Sequence, residues 1–333
     1  MASGTVHLSD LVSTLNVDTS SPMTVSGVSS GGYMAVQMHI AFSSSINGSA
    51  VFAAGPYYCA NSNVLTATEN CMKGTFGGPP LAELITFTED QSILGTIDHV
   101  SNLKDDSVYL FSGTRDSVVD PTVMQSLKSF YSHFLSSATN IKDEFDIVAE
   151  HCVPTIDYPD GEACEVKSSP YLGRCHYDGA GHALKVLYSD FSTSAAKTDL
   201  NTTSELIEFL QTEFYPYATG STTNSLDDTG FIYVPPQCYS SAESESCRVH
   251  MSFHGCEQGQ EYIGNDYAAH AGFNSWANEN NLIVVYPYAQ SDQLIGNPNG
   301  CWDWWGYTNT AYGLKSGTQM AFAKSIMDTM FSR

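Results

Sequence analysis

The chain has 333 residues, 42% of them hydrophobic, enough to bury a full core in one large domain. Its 13 Lys and Arg face 36 Asp and Glu, a formal net charge of −23. That sign repels phosphate backbones and anionic lipid, so it excludes nucleic acid as a partner and favours a neutral substrate or surface. No apolar run approaches the ~18 residues of a membrane-spanning helix.

In chain order, residues 1–22 are polar and read as a segment wrapping the surface. Met1–Asp10 has neither the basic start nor the apolar stretch of an export leader, and the expectation is a leader already removed. Met23–Ser26 reads as a strand, then a sharp turn, then a helix from about Gly32 to Phe42. Between them lies Gly27-x-Ser29-x-Gly31, the form of a nucleophile elbow, which holds a serine in strained geometry at the top of a sheet. A plain Gly/Ser turn is the simpler account of these residues alone. The strand before and the apolar helix after favour the elbow.

Ala50–Gly55 reads as a short buried strand, and Pro56–Pro80 as loop. Asn47-Gly-Ser49 and Asn201-Thr-Thr203 are glycosylation sequons, which matter in a secreting eukaryote. Ser107–Gly113 is a buried strand. The helix after it carries Val123, Leu127, Phe130 and Phe134 as one apolar stripe. Pro121 suits its first position and Asp120 its N-cap, so Asp120 has a structural task. Asp116, just past the strand, has none, and is the better candidate for an acid that orients a histidine; its bland reading is a solvated loop carboxylate.

Phe145–Ala149 alternates like a strand and leads to His151, where this architecture places its general base. The order Ser29, Asp116, His151 is that of α/β-hydrolases. There are ten histidines. His176 and His182, in a Gly-rich segment before a helix, read as structural. Thr202-x-x-Glu205 forms a capping box that predicts a helix over Leu206–Glu213. Thr219–Thr229 resembles a linker but is short, and it runs into strands Phe231–Val234 and Val249–Phe253.

The second of these strands ends in His254-Gly255-Cys256, the loop type that gives esterases one oxyanion-hole N–H. That loop ordinarily precedes the serine, whereas here it follows Ser29 by 225 residues (254 − 29). A circularly permuted chain, opened just before the elbow strand, accounts for the order, and the helix at Ser316–Phe331 would then lead into that strand. Phe273–Asn280 reads as helix and Leu282–Pro287 as buried strand. Three of the four tryptophans follow within Cys301-Trp302-Asp303-Trp304-Trp305. Such a cluster is either core or the wall of a substrate pocket.

The nine cysteines show no C-x-x-C spacing, which argues against zinc or thioredoxin-like chemistry and for disulfides in an oxidising compartment. Cys59–Cys71, Cys164–Cys175, Cys238–Cys247 and Cys256–Cys301 are the favoured joins among the 105 that eight cysteines allow, with Cys152 left free.

Gly-Val-Ser-Ser-Gly-Gly-Tyr at 27–33, Tyr171–Cys175 followed by Tyr177-Asp178-Gly179-Ala180-Gly181, His254-Gly255-Cys256 and Asn299-Gly300-Cys301-Trp302-Asp303-Trp304 together resemble the extracellular polyhydroxybutyrate depolymerases. The likeness is to the fungal single-domain type and covers nearly the whole chain. It implies an α/β fold: one α/β-hydrolase domain over residues 1–333, circularly permuted around a mostly parallel sheet, with no separate substrate-binding domain. It implies Ser29 as nucleophile, Asp116 as triad acid and His151 as base in the pattern His-x-x-Pro-Thr. It implies oxyanion donors at the backbone N–H of Ser30 and Cys256. It suggests Trp304 against the polymer chain, with Trp302 and Tyr33 as further substrate-binding candidates. Cys152 beside the base and the marked acidity depart from the family's pattern.

The implied activity is hydrolysis of poly(3-hydroxybutyrate)-type esters through an acyl-enzyme, by a secreted monomer, without cofactor or metal. The implied partner is a solid or oligomeric polyester. A feruloyl or acetyl esterase on a related fold, or a catalytically silent surface-binding protein, is the alternative.

Overall fold

Parallel strands covered on both faces bury nearly every side chain, and such strands form the centre of this molecule, where the polar residues Thr24, Ser26, His250 and Ser252 bond one another. The computed structural model describes residues 4–156, 158–192, 206–216, 224–240 and 246–332. Helix α1 (Leu8–Val12) turns Leu8 and Val12 inward. Strand β1 (Met23–Val28) follows, with all six residues buried. After a single intervening residue comes α2 (Ser30–Ala41), buried from end to end. β2 (Ile46–Phe52) returns beside β1. The short α3 (Val64–Thr66) and α4 (Leu81–Leu94) then lead to β3 (Ser107–Phe111). α5 (Pro121–Phe134) is capped by Asp120, which accepts the Thr122 N–H, with Pro121 at its first position.

β4 (Ile141–Glu144) is a polar edge strand. β5 (Val153–Thr155) and β6 (Leu172–Arg174) make a small separate pair, and α6 (Gly179–Leu187) starts from an Asp178 cap. β7 (Leu206–Leu210), β8 (Thr229–Tyr233) and β9 (Arg248–Phe253) precede α7 (Gln260–Ile263), α8 (Asp266–His270) and α9 (Phe273–Glu279). β10 (Leu282–Tyr286), all five residues buried, and α10 (Thr318–Phe331) complete the fold.

The eight strands of the main sheet lie in the order β4-β3-β2-β1-β9-β10-β8-β7. All run parallel except β8, which is antiparallel to both its neighbours. β1 and β9, far apart in sequence, are central neighbours with Gly27 opposite Phe253. Their carboxyl ends therefore present Ser29 and His254 side by side. With β7–β10 read before β1–β4, the His-Gly strand precedes the elbow strand, as the permuted reading requires, and α1 lies against α10. All four expected disulfides are formed, and Cys152 is free and buried.

Four sequence expectations are corrected. Leu206–Glu213 is not a helix: Leu206–Leu210 is the edge strand β7, paired residue for residue with β8. Pairing with β8 buries Leu206 and Phe209 and completes the sheet, and that tertiary gain overrides the local capping signal. The ladder of β4 ends at Glu144, so Phe145–Ala149 is loop; its carbonyls at Ile147 and Ala149 accept N–H groups of the Thr114–Arg115 turn instead. Residues 4–22 do more than wrap the surface, because Leu8, Val12, Leu15 and Val17 are core. β2 begins at Ile46, so the first sequon lies on a strand, with Asn47 exposed and Ser49 buried. The second sequon, the capping box and residues 219–223 of the linker-like stretch lie outside the described residues.

Candidate active site

Ser29 is the single residue between β1 and α2, with φ 56° and ψ −123°, a conformation that costs a non-glycine residue on the order of 1–3 kcal/mol. Its N–H donates to Phe52 O at 2.9 Å, which ties the turn to β2. The glycines on either side are required by close approach. A Cβ on Gly27 would stand 2.1 Å from Gly31 O, and one on Gly31 would stand 2.2 Å from Phe253 O. The second contact also shows how tightly β9 passes the elbow.

Asp116 and His151 meet at this end of the sheet. His151 Nδ1 donates to Asp116 Oδ2 at 2.8 Å, and both side chains are almost wholly buried. The other Asp116 oxygen accepts the Val118 and Val119 N–H groups at 2.9 and 2.8 Å, so the carboxylate is fixed before it meets the ring. Glu150 ties the two loops together: one oxygen accepts both the Ser117 N–H at 3.1 Å and the His151 N–H at 2.9 Å. Partial burial pushes its carboxyl up, but these donors and the charge of Lys167 outweigh that, so its pKa lies below the ordinary carboxylate value.

The loop after β9 is held just as firmly. His254 Nδ1 donates to Gly255 O at 2.7 Å while its Nε2 accepts the Ala289 N–H at 3.0 Å, which fixes the neutral Nδ1–H tautomer. Burial lowers its pKa to about 4. Gly255 C=O and Cys256 N–H belong to one planar peptide, so holding the carbonyl aims the N–H the opposite way. The N–H groups on either side are occupied, Gly255 by Gln258 Oε1 and Glu257 by Asn299 O. That of Cys256 has no acceptor among the described residues. Ser30, as first residue of α2, likewise has no intrahelical acceptor for its N–H. The Cys256–Cys301 disulfide clamps this loop to the tryptophan segment.

A cavity of about 320 Å³ opens between these loops and is lined by Ser29, His151, Gly255 and Cys256. Met72, Val118, Lys167, Tyr171, Glu257 and Asn299 also face it. The aromatic candidates are placed differently. Trp302 is fully buried, edge-on to Phe253 and beside His254, and so cannot touch a polymer chain. Tyr33 is also buried; it donates to Cys71 O and stacks on Trp304, centroids 4.0 Å apart and 9° between planes. Neither Tyr33 nor Trp304 lines the cavity. Asp303 accepts from Gly306, Tyr307 and Thr308, which folds the segment so that Trp305 is the most accessible ring of the three. Glu150, Lys167, Glu257 and Gln258 escaped the sequence reading because polar residues in loops carry no periodic signal.

An eight-stranded, mostly parallel sheet with an elbow serine at the carboxyl end of a central strand defines the α/β-hydrolase fold. No family model matches the chain. It is 39% identical over 330 residues to a poly(3-hydroxybutyrate) depolymerase of Delftia acidovorans, covering 99% of this chain and 63% of that protein. It is 36% identical to a polyhydroxybutyrate depolymerase of Talaromyces funiculosus, over 90% of this chain and 86% of that one. Among solved structures, the PHB depolymerase from Penicillium funiculosum superposes with a TM-score of 0.83 at 34% identity, over 95% of this chain and 96% of that one. A PHB depolymerase serine-to-alanine variant complexed with an R3HB trimer gives 0.82 at 32% identity, over the same shares. The chain belongs to the polyhydroxybutyrate depolymerase family.

Proposed function

We propose that this protein is a serine esterase that hydrolyses poly(3-hydroxybutyrate)-type polyesters to hydroxy acid oligomers and monomers. The observation that carries the chemistry is the buried Asp116–His151 pair opening, with the elbow serine, onto one cavity. The relatives' names and the R3HB trimer complex support the substrate class.

In the first step Ser29 Oγ attacks the ester carbonyl as His151 takes its proton. Asp116 keeps the imidazole in the tautomer with Nδ1 protonated and Nε2 free to act as base. The oxyanion forms where the Ser30 and Cys256 N–H groups converge, and each such donor contributes about 3–4 kcal/mol. The alcohol end of the polymer leaves with the proton from His151. In the second step water, activated by the same ring, releases the acid. Trp305, rather than the buried Trp302 and Trp304, is the ring available to an approaching chain. The protein acts outside the cell as a monomer.

The test is clearing of an amorphous poly(3-hydroxybutyrate) suspension with Ser29→Ala alongside. Clearing by the wild type and a loss of about a thousandfold or more in the variant support the reading. Wild type that splits a short soluble ester but leaves the suspension turbid would move the substrate to small or carbohydrate-linked esters. A folded wild type that turns over neither would remove the enzyme reading.

A further inference from the structure

Every cut in a polymer of hydroxy acids leaves a free carboxylate on the new chain end. The cavity beside Ser29 holds one residue suited to such an end. Lys167 lines it, exposed at the mouth, in a chain whose cations are outnumbered 36 to 13. Among the described residues Lys167 belongs to no ion pair. The carboxylates near it already have donors. Glu150 accepts the Ser117 and His151 N–H groups, and Glu257, also at the cavity, accepts the Tyr171 hydroxyl at 2.7 Å. The ammonium still reaches the reacting centre electrostatically, since its charge lowers the pKa of Glu150, which holds the His151 backbone.

A cation in that position gains nothing from the interior of a neutral polyester. It gains from a chain that ends in a carboxylate on the leaving-group side of the scissile ester. Resting on the polyester reading above, we infer that Lys167 forms a subsite for the terminal carboxylate of short hydroxy acid oligomers. The same site that opens polymer chains then prefers soluble acid-ended fragments, and trims them further. The chain's overall negative charge repels such acids, so without Lys167 they would be poor substrates.

The experiment compares the linear 3-hydroxybutyrate trimer as free acid and as methyl ester, with wild type, Lys167→Met and Lys167→Arg. The wild type is expected to favour the acid in kcat/KM by about two- to five-fold, the range of one exposed ion pair. The preference should lie in KM and fall as NaCl is raised. Lys167→Met should bring the acid-to-ester ratio down to one or below and flatten its salt dependence; Lys167→Arg should keep both. The same ratio in wild type and Lys167→Met, with both trimers cleaved, overturns the subsite alone. If the wild type cleaves neither trimer while splitting a p-nitrophenyl ester, the polyester reading falls and takes the subsite with it.

Discussion

Asp116 has two oxygens with separate duties, and this makes its amide variant informative. In Asp116→Asn the remaining oxygen can still accept from Val118 and Val119, so the turn survives. The new NH₂ then faces His151 Nδ1 and, being a donor, forces the ring into the tautomer with Nε2 protonated. The expected loss in kcat is about 10⁴-fold with little change in thermal stability. A drop of less than tenfold would remove Asp116 from the triad. Gly31 tests a steric claim. Gly31→Ala sets a Cβ 2.2 Å from Phe253 O and 2.3 Å from His254 O, both backbone atoms that cannot swing away. We expect a cost of about 3 kcal/mol or more, seen as a lower urea midpoint at unchanged m. An unshifted midpoint would mean that β9 does not press on the elbow as described.

At the scale of elements, the site is a meeting of four loops at the carboxyl ends of β1, β3, β4 and β9. Each loop is braced by its neighbours: Glu150 joins the acid and base loops, Gln258 donates to Pro170 O, and a disulfide joins Cys256 to Cys301. The last bridge spans 45 residues, a loop whose closure entropy is about 4 kcal/mol in the unfolded chain. The double variant Cys256→Ser, Cys301→Ser should therefore melt earlier. It should also lose about tenfold in kcat at temperatures where it is fully folded, since a loosened Cys256 N–H meets the oxyanion less often. A variant that melts early but keeps full kcat when folded would assign the bridge to stability alone.

For the whole molecule, pH acts through buried groups held neutral. Burial lowers His250 from 6.5 to about 3 and His254 to about 4. Their contribution to stability is complete above pH 6.5 and is lost as pH falls toward those values. Glu162 behaves oppositely. Burial raises it from 4.5 to about 7, one of its oxygens has no partner among the described residues, and the other accepts the Leu172 N–H. Its contribution is present below pH 4.5 and is lost as pH rises through 7. Glu162→Gln cannot ionise, so its Tm relative to wild type should climb between pH 5 and about pH 7 and level off by pH 8. Parallel Tm curves across that range would show that Glu162 stays charged or solvated.

Much of this protein is legible without coordinates. The elbow glycines, the Asp120 cap that frees Asp116, and three of the four disulfides follow from local chemistry: turn geometry, helix capping and short cysteine separations. The apolar run of β10 also announces itself, because a strand buried on both faces favours apolar side chains throughout. Other features were decided by contacts between distant segments. Leu206–Leu210 became a strand because β8 offered a partner, and Phe145–Ala149 stayed loop because the ladder on β3 ended before it. Trp302 went into the core while Trp305 stayed at the surface, although nothing in a run of neighbouring aromatics separates them. Lys167 and Glu150 gained their places from loops folding over one another. Backbone conformation is set within a few residues, which a sequence displays directly; a cavity wall is assembled from side chains far apart in the chain, and only the packed fold brings them together.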